Sequence, residues 1–110
     1  MVAKSIINVL KTRDICKLDE LLSDSVQVHQ IDNKWYSKYE WIDQIQNKEI
    51  QYLKLIPISN SITNGNQGVI RLSANVLNNE LVMTKAELIL LLKKDIDNWQ
   101  IINSSVNPIN

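Results

Sequence analysis

The sequence predicts an α+β fold in which three helices come first and pack on one face of a curved antiparallel sheet. In the N-terminal part, apolar residues recur at helical spacing, whereas from Ile50 onward they alternate with polar residues as in strands. Short turn signals separate the alternating segments. The 110 residues are enough for one domain and leave little for a second.

The first two helices are predicted from their apolar faces. In the first, the spacing i, i+3, i+4, i+7 is filled by Ala3, Ile6, Ile7 and Leu10. Asp14 is expected to cap the second helix by accepting a free backbone N–H of its first turn. The buried face of that helix is predicted to comprise Ile15, Leu18, Leu21 and Leu22, and Ser23-Asp24-Ser25 is predicted to end it.

A strand is predicted over residues 26–31, where β-branched side chains alternate with polar ones. Because side chains of a strand alternate between its faces, Gln30 shares the face of the two valines and His29 points to the opposite face. Asp32-Asn33 signals a turn after the strand.

The third helix has a well-defined predicted start. Ser37 and Glu40 have the spacing of a capping box, in which each side chain bonds a free backbone N–H of the other residue. Tyr36 and Trp41 are placed to form a hydrophobic staple across this cap. The buried stripe of the helix is predicted to comprise Trp41, Ile42 and Ile45.

Four strands are predicted in the second half, over Tyr52–Ile58, Val69–Val76, Leu81–Lys93 and Trp99–Val106. Pro57 lacks a backbone N–H, so the first of these is expected at a sheet edge. Asn78-Asn79 is predicted to form a two-residue hairpin, because Asn tolerates positive φ.

Composition excludes several functions. The 12 basic and 12 acidic residues cancel, which gives no basic patch for nucleic acid or an anionic membrane. One His, one Cys and scattered acids show no metal-ligand spacing, and two glycines make no phosphate loop, so neither a metal nor a cofactor is predicted. Cys16 has no disulfide partner, and no signal peptide or spanning segment is recognised, so a cytoplasmic location is expected.

Three segments together resemble the nuclear transport factor 2-like superfamily. They are LDELLSDSVQVH at 18–29, SKYEWIDQIQNKEIQY at 37–52 and LLLKKDIDNWQIINSS at 90–105. The sequence is most similar to small bacterial members of the SnoaL-like and ketosteroid-isomerase-like type. It departs from them at Gln30-Ile31-Asp32, where glycines are common, and at Asn98. The resemblance implies a cone-shaped fold with an apolar cavity between sheet and helices.

The resemblance also bears on catalysis. Ketosteroid isomerase chemistry needs a carboxylate base, and the corresponding position is approximately Gln30, whose amide cannot take a proton from carbon. That reaction is therefore not expected. His29 is the candidate acid or base, although a purely structural, hydrogen-bonded histidine is the alternative. The cavity wall is predicted to contain Gln30, Trp35, Trp41 and Tyr52, with simple packing as the alternative for each aromatic residue.

Self-association is predicted from the strand at 81–93, which has apolar residues on both faces near its end. Helices cover only one side of a single-layer sheet, so apolar side chains on the other side suggest a partner surface. The resemblance agrees, because this sheet face commonly forms homodimers in the superfamily. The predicted interface comprises Met83, Ile89 and Leu91; burial under a terminus or loop is the alternative.

The sequence is compatible with three functions. The first is a homodimeric domain that binds a small, largely apolar molecule in its cavity. The second is an isomerase, dehydratase or cyclase with His29 as acid or base and Tyr52 as hydrogen-bond donor. The third is an interaction module whose cavity is filled by its own side chains.

Overall fold

A computed structural model describes residues 2–63, 65–96 and 98–109 of the chain. The helices within these residues are α1 (Val2–Thr12), α2 (Ile15–Leu21) and α3 (Lys38–Gln46). The strands are β1 (Leu22–His29), β2 (Trp35–Tyr36), β3 (Ile50–Thr63), β4 (Gln67–Asn78), β5 (Met83–Asp95) and β6 (Asn98–Pro108). None of these helices combines the length and apolar character needed to cross a membrane.

Both predicted helix caps are confirmed. Asp14 Oδ1 accepts a hydrogen bond from the Lys17 backbone N–H at 3.2 Å at the start of α2. At the start of α3, the Ser37 backbone N–H donates to Glu40 Oε1 at 2.9 Å, and the Glu40 N–H donates to Ser37 Oγ at 3.4 Å. These bonds to Ser37 hold the pKa of the Glu40 carboxyl below its usual value.

The strands form one sheet in the order β2-β1-β6-β5-β4-β3. Neighbouring strands are antiparallel except β1 and β6, which are parallel, so the prediction of a purely antiparallel sheet is wrong for that pair. The reason is the connection. Since α3 follows β1 in the chain, no hairpin joins β1 to the meander, and nothing forces it to oppose β6.

All five predicted strands have different bounds in the structure, and β2 is an additional strand. β1 begins at Leu22 because this residue caps α2 and is fully buried opposite Ile101, so the polar residues that follow it are strand, not a helix end. The two-residue β2 was not predicted. β3 is longer than predicted, at 14 residues, and lies at the sheet edge as Pro57 indicates.

The core lies between the helices and the inner face of the sheet. The alternation predicted for β4 and β5 is confirmed, since the pairs Leu72–Leu88 and Ala74–Ala86 are opposite each other and buried. The largest fully buried apolar side chains are Trp41, Ile6, Leu18, Leu22, Ile45, Leu72, Leu88, Leu90, Ile101 and Val28. The face predicted for α3 is buried, whereas those of α1 and α2 are buried in part. Ile7, Ile15 and Leu21 are only half-buried, and Leu22 belongs to β1.

Candidate functional site

A pocket of about 440 Å³ opens at one end of the sheet. Its lining comes from the turn after β1, the end of α3, the start of β3 and the hairpin between β4 and β5. This size is within the range of small-molecule sites. We call it the Gln30 pocket, after the residue at its inner end.

Gln30 supplies a buried amide to this pocket. Its side chain is only 3% exposed, and its Nε2 donates to Gln44 Oε1 at 3.2 Å. The Gln30 Oε1 atom is also buried, and it has no hydrogen-bond partner among the described residues. A buried carbonyl oxygen without a partner costs free energy, so a ligand N–H or O–H that reaches Gln30 Oε1 would be stabilised there.

The rest of the lining is more polar than the apolar cavity predicted from the resemblance. Apolar contact is offered by Ile31, Ile50, Val76 and Val82. The charged lining residues are three acids, Asp32, Glu49 and Glu80, and none of the described lining residues is Lys or Arg. Because the pocket is at the open end of the sheet, its rim consists of turns, which are polar.

The hairpin that forms one rim differs from the predicted two-residue turn. Asn78 ends β4, and its Oδ1 accepts backbone N–H bonds from Glu80 and Val82, both at 2.9 Å. Leu81 has φ 64°, so Leu, and not Asn, takes the left-handed conformation here. The side-chain bonds of Asn78 make the wider turn possible and bring Glu80 and Val82 to the pocket.

Trp41 and Tyr52 form a buried pair behind the pocket and do not line it. Trp41 Nε1 donates to Tyr52 Oη at 3.0 Å, and the rings meet edge to face with centroids 6.4 Å apart. Burial raises the pKa of Tyr52 to about 12, and hydrogen bonding by Trp41 and by the Gln30 side chain offsets only part of that rise. Neither ring lines the Gln30 pocket, and both are packed in the core, so their role in ligand binding stays a prediction.

The raised pKa of Tyr52 predicts a loss of stability at high pH. Between its ordinary value of 10.0 and about 12, the folded state holds the phenol proton more tightly than the unfolded state. Stability that is fully present below about pH 10 should therefore fall as the pH rises through that window, by up to about 3 kcal/mol. Urea unfolding over this range should show a smaller decline for Tyr52→Phe than for the wild type.

A matched control is Tyr39→Phe, because the Tyr39 side chain is 62% exposed. This variant should lose stability with pH as steeply as the wild type. Equal slopes for Tyr52→Phe and the wild type would contradict the burial of an un-ionised phenol at position 52.

His29 lies on the face of β1 opposite Gln30, as the alternation predicts, and does not line the pocket. Its Nε2–H donates to Asn33 Oδ1 at 2.8 Å. Its ring packs against that of Trp35, its partner in β2, with centroids 4.9 Å apart and planes tilted by 49°. Trp35 is 59% exposed on that outer side, where it lines a separate surface pocket with Gln27 and Tyr36 and not the Gln30 pocket. A two-residue strand that turns back onto β1 carries Trp35 away from the pocket.

Of the four predicted ligand-binding residues, only Gln30 lines the pocket. Sequence reasoning did not identify the three acids around it, because each is in a different turn or at a helix end. Asp32 is also held locally, since its carboxylate accepts bonds from the Lys34 backbone N–H and the Tyr36 hydroxyl. The bond to Asp32 is the main cause of the raised pKa of Tyr36.

Comparison with known proteins identifies the fold and no more than the fold. No protein-family model matches the sequence, and a search of curated proteins gives no significant match. Solved structures are nevertheless similar over almost the whole chain. A nuclear transport factor 2-like protein from Cytophaga hutchinsonii has a TM-score of 0.81 at 16% identity, covering 96% of this chain and 91% of that chain.

Two further structures agree. A nuclear transport factor 2-like protein of unknown function in nutrient uptake from Rhodospirillum rubrum has a TM-score of 0.81 at 11% identity, covering 97% of this chain and 94% of that one. An uncharacterised protein with a cystatin-like fold from Caulobacter vibrioides has a TM-score of 0.75 at 10% identity, with coverages of 97% and 84%. The chain therefore has the nuclear transport factor 2-like fold, as its sequence resemblance predicts.

Proposed function

We propose that this protein binds a small organic molecule in the Gln30 pocket. The observation that carries the proposal is the buried, unpartnered Oε1 of Gln30 at the inner end of a pocket of about 440 Å³. A buried polar atom in a folded protein normally has a hydrogen-bond partner, which a bound ligand or an ordered water can supply. The apolar walls would contact the body of the ligand while Gln30 fixes its orientation.

A screen of small molecules by thermal unfolding tests this proposal. A ligand that binds only the folded state stabilises it, by about 2.7 kcal/mol at about 100 times its Kd. Thr84 lines the pocket on β5 opposite Val76, so Thr84→Trp should fill the space and abolish the stabilisation. Lys85→Trp is the matched control, because the next residue of a strand points to the other face.

Two other outcomes are informative. If no compound stabilises the protein, the binding proposal fails and the alternative of an interaction module gains support. If Thr84→Trp and Lys85→Trp both keep the full stabilisation, the ligand binds elsewhere. Because His29 is on the opposite face of β1 and outside the lining, His29→Ala should leave binding in the pocket unchanged.

We also propose that two copies associate through the outer face of the sheet. Side chains directly opposite on neighbouring strands share a face, so Leu91 lies beside Val69 and Met83 beside Leu77. Leu91 is 37% exposed and Met83 50%. Arg71 and Glu87 form an ion pair on the same face, between the pairs Val69–Leu91 and Leu77–Met83. Each of these two charges would therefore keep a partner when a second copy covers the face. The zero formal net charge gives two copies no overall repulsion.

The association can be measured by sedimentation. Wild-type protein is expected to sediment as a dimer, and Leu91→Glu to sediment as a monomer because it would bury an unpaired charge in the interface. Ile96→Glu is the control, since Ile96 is 88% exposed in the turn between β5 and β6, and it should remain dimeric. A wild-type monomer at micromolar concentration would refute the proposal.

A further inference from the structure

We infer that the Gln30 pocket selects an organic cation, namely a primary ammonium group on a small apolar body. The inference rests on the proposed binding function and narrows it to one ligand class. Three carboxylates, those of Asp32, Glu49 and Glu80, lie on the lining, while the described lining residues include no cationic side chain. At neutral pH the pocket therefore carries a formal charge of about −3 from these groups.

The carboxylates of Glu49 and Glu80 are available to a ligand. Neither takes part in an ion pair or a side-chain hydrogen bond among the described residues. Both are exposed at the rim, so solvent screens each of them, and their individual effects on a bound cation are small. Together, around one concave site, they raise the local concentration of cations and disfavour anions.

The second observation is the orphan acceptor at the inner end. Gln30 Oε1 needs a hydrogen-bond donor, and Gln30 Nε2 is already bonded to Gln44 Oε1. An ammonium group has donors and no acceptor, so it can satisfy Gln30 Oε1 while the three carboxylates attract its charge across the pocket. A carboxylate or phosphate ligand would instead bring acceptors to an acceptor and negative charge to three acids.

A metal ion fits these residues less well than an organic cation. Within the described part of the chain, no group of three or more His, Cys, Asp or Glu side chains comes close enough to hold a metal ion. The acids surround the space and do not meet at one point. Ile31, Ile50, Val76 and Val82 in turn offer contact to hydrocarbon, which a hydrated metal ion cannot use.

Three ligands of the same shape and different charge test the inference. They are cyclohexylmethylamine, cyclohexylmethanol and cyclohexanecarboxylate, titrated near neutral pH and at low salt. Binding is followed by the indole N–H resonance of Trp41, which bonds to Tyr52 next to Gln30. The resonance of Trp99, which lies outside the pocket lining, is the internal reference. The amine should bind about fivefold to tenfold more tightly than the alcohol, and the carboxylate most weakly.

A second experiment replaces the two exposed glutamates of the lining by glutamines, which have the same shape and no charge. Glu49→Gln/Glu80→Gln should weaken amine binding about fivefold and leave alcohol binding unchanged, because only the charge is removed. The control double variant Glu20→Gln/Asp95→Asn changes net charge equally, away from the pocket, and should bind the amine like the wild type. High salt should reduce the preference for the amine, and magnesium at equal concentration should not displace it.

The outcomes separate this inference from the proposed function. Equal binding of amine and alcohol, or tightest binding of the carboxylate, overturns the choice of a cation and leaves a ligand-binding pocket in place. Displacement of the amine by magnesium overturns the choice of an organic cation over a metal ion. If none of the three ligands shifts the Trp41 resonance, both the inference and the binding proposal fail for ligands of this size.

Discussion

Replacing Trp41 by alanine is expected to lower the free energy of unfolding by about 3–5 kcal/mol. The Trp41 side chain is fully buried in the core, so its removal leaves a large cavity and takes the Nε1–H donor away from Tyr52 Oη. Since domains of this size are stable by about 5–15 kcal/mol, the variant should be partly unfolded on modest heating. Urea unfolding followed by circular dichroism would measure the loss.

Trp35→Ala provides the comparison, because it removes the same side chain from an exposed position on β2. Its loss should be within about 1 kcal/mol. Trp41→Phe should be intermediate, since it keeps a smaller aromatic ring in the core but removes the hydrogen bond to Tyr52. Similar losses for the two alanine variants would contradict the assignment of Trp41 to the core.

Removing the two acids that contact Lys38 is expected to cost more than removing Lys38 itself. Lys38 Nζ lies 3.2 Å from Asp19 Oδ1 and 3.0 Å from Asp24 Oδ1, and the Lys38 side chain is only 6% exposed. Burial lowers the pKa of Lys38, but the hydrogen bonds and charges of Asp24 and Asp19 more than compensate and raise it overall. The ammonium therefore stays charged where it is buried.

Asp19→Ala/Asp24→Ala should lower the free energy of unfolding by about 2–3 kcal/mol, because it leaves a buried ammonium without a counter-ion. Lys38→Met should cost about 1 kcal/mol or less. In that variant both carboxylates, 51% and 94% exposed, remain hydrated, and the Met side chain fills the space of the Lys stem. Urea unfolding near neutral pH measures the loss of unfolding free energy in each variant. A larger loss for Lys38→Met than for Asp19→Ala/Asp24→Ala would contradict this account.

Features that depend on residues close together in the chain could be predicted from sequence, whereas features that depend on distant residues could not. The capping box of Ser37 and Glu40 spans three residues, so its chemistry is complete within one short segment. Lys38 is the next residue along, yet its burial depends on Asp19 and Asp24, which come from α2 and β1. Nothing in the local sequence distinguishes it from a solvated lysine.

The pocket residues likewise divide into those that local sequence identifies and those that only the folded chain brings together. Gln30 was identified because strand alternation places it on the inner face with the buried valines of β1. Tyr52 was expected to meet a ligand because a buried phenol needs a partner, but that partner is Trp41. Glu49 and Glu80 are far apart in the chain and line one pocket only after α3 and the β4–β5 hairpin are in place, which composition and periodicity cannot show.

The parallel pairing of β1 with β6 has a consequence for synthesis on the ribosome. Val28 is opposite Ser104 and His29 opposite Ser105. The hydrogen bonds between β1 and β6 therefore cannot form until β6 has been synthesised. When the meander of β3 to β5 has already emerged, β1 still has only the two-residue β2 beside it. Pairings this distant in sequence form slowly. The nascent chain therefore exposes an unpaired strand edge until β6 has been synthesised, and this is the interval in which a chaperone would be needed.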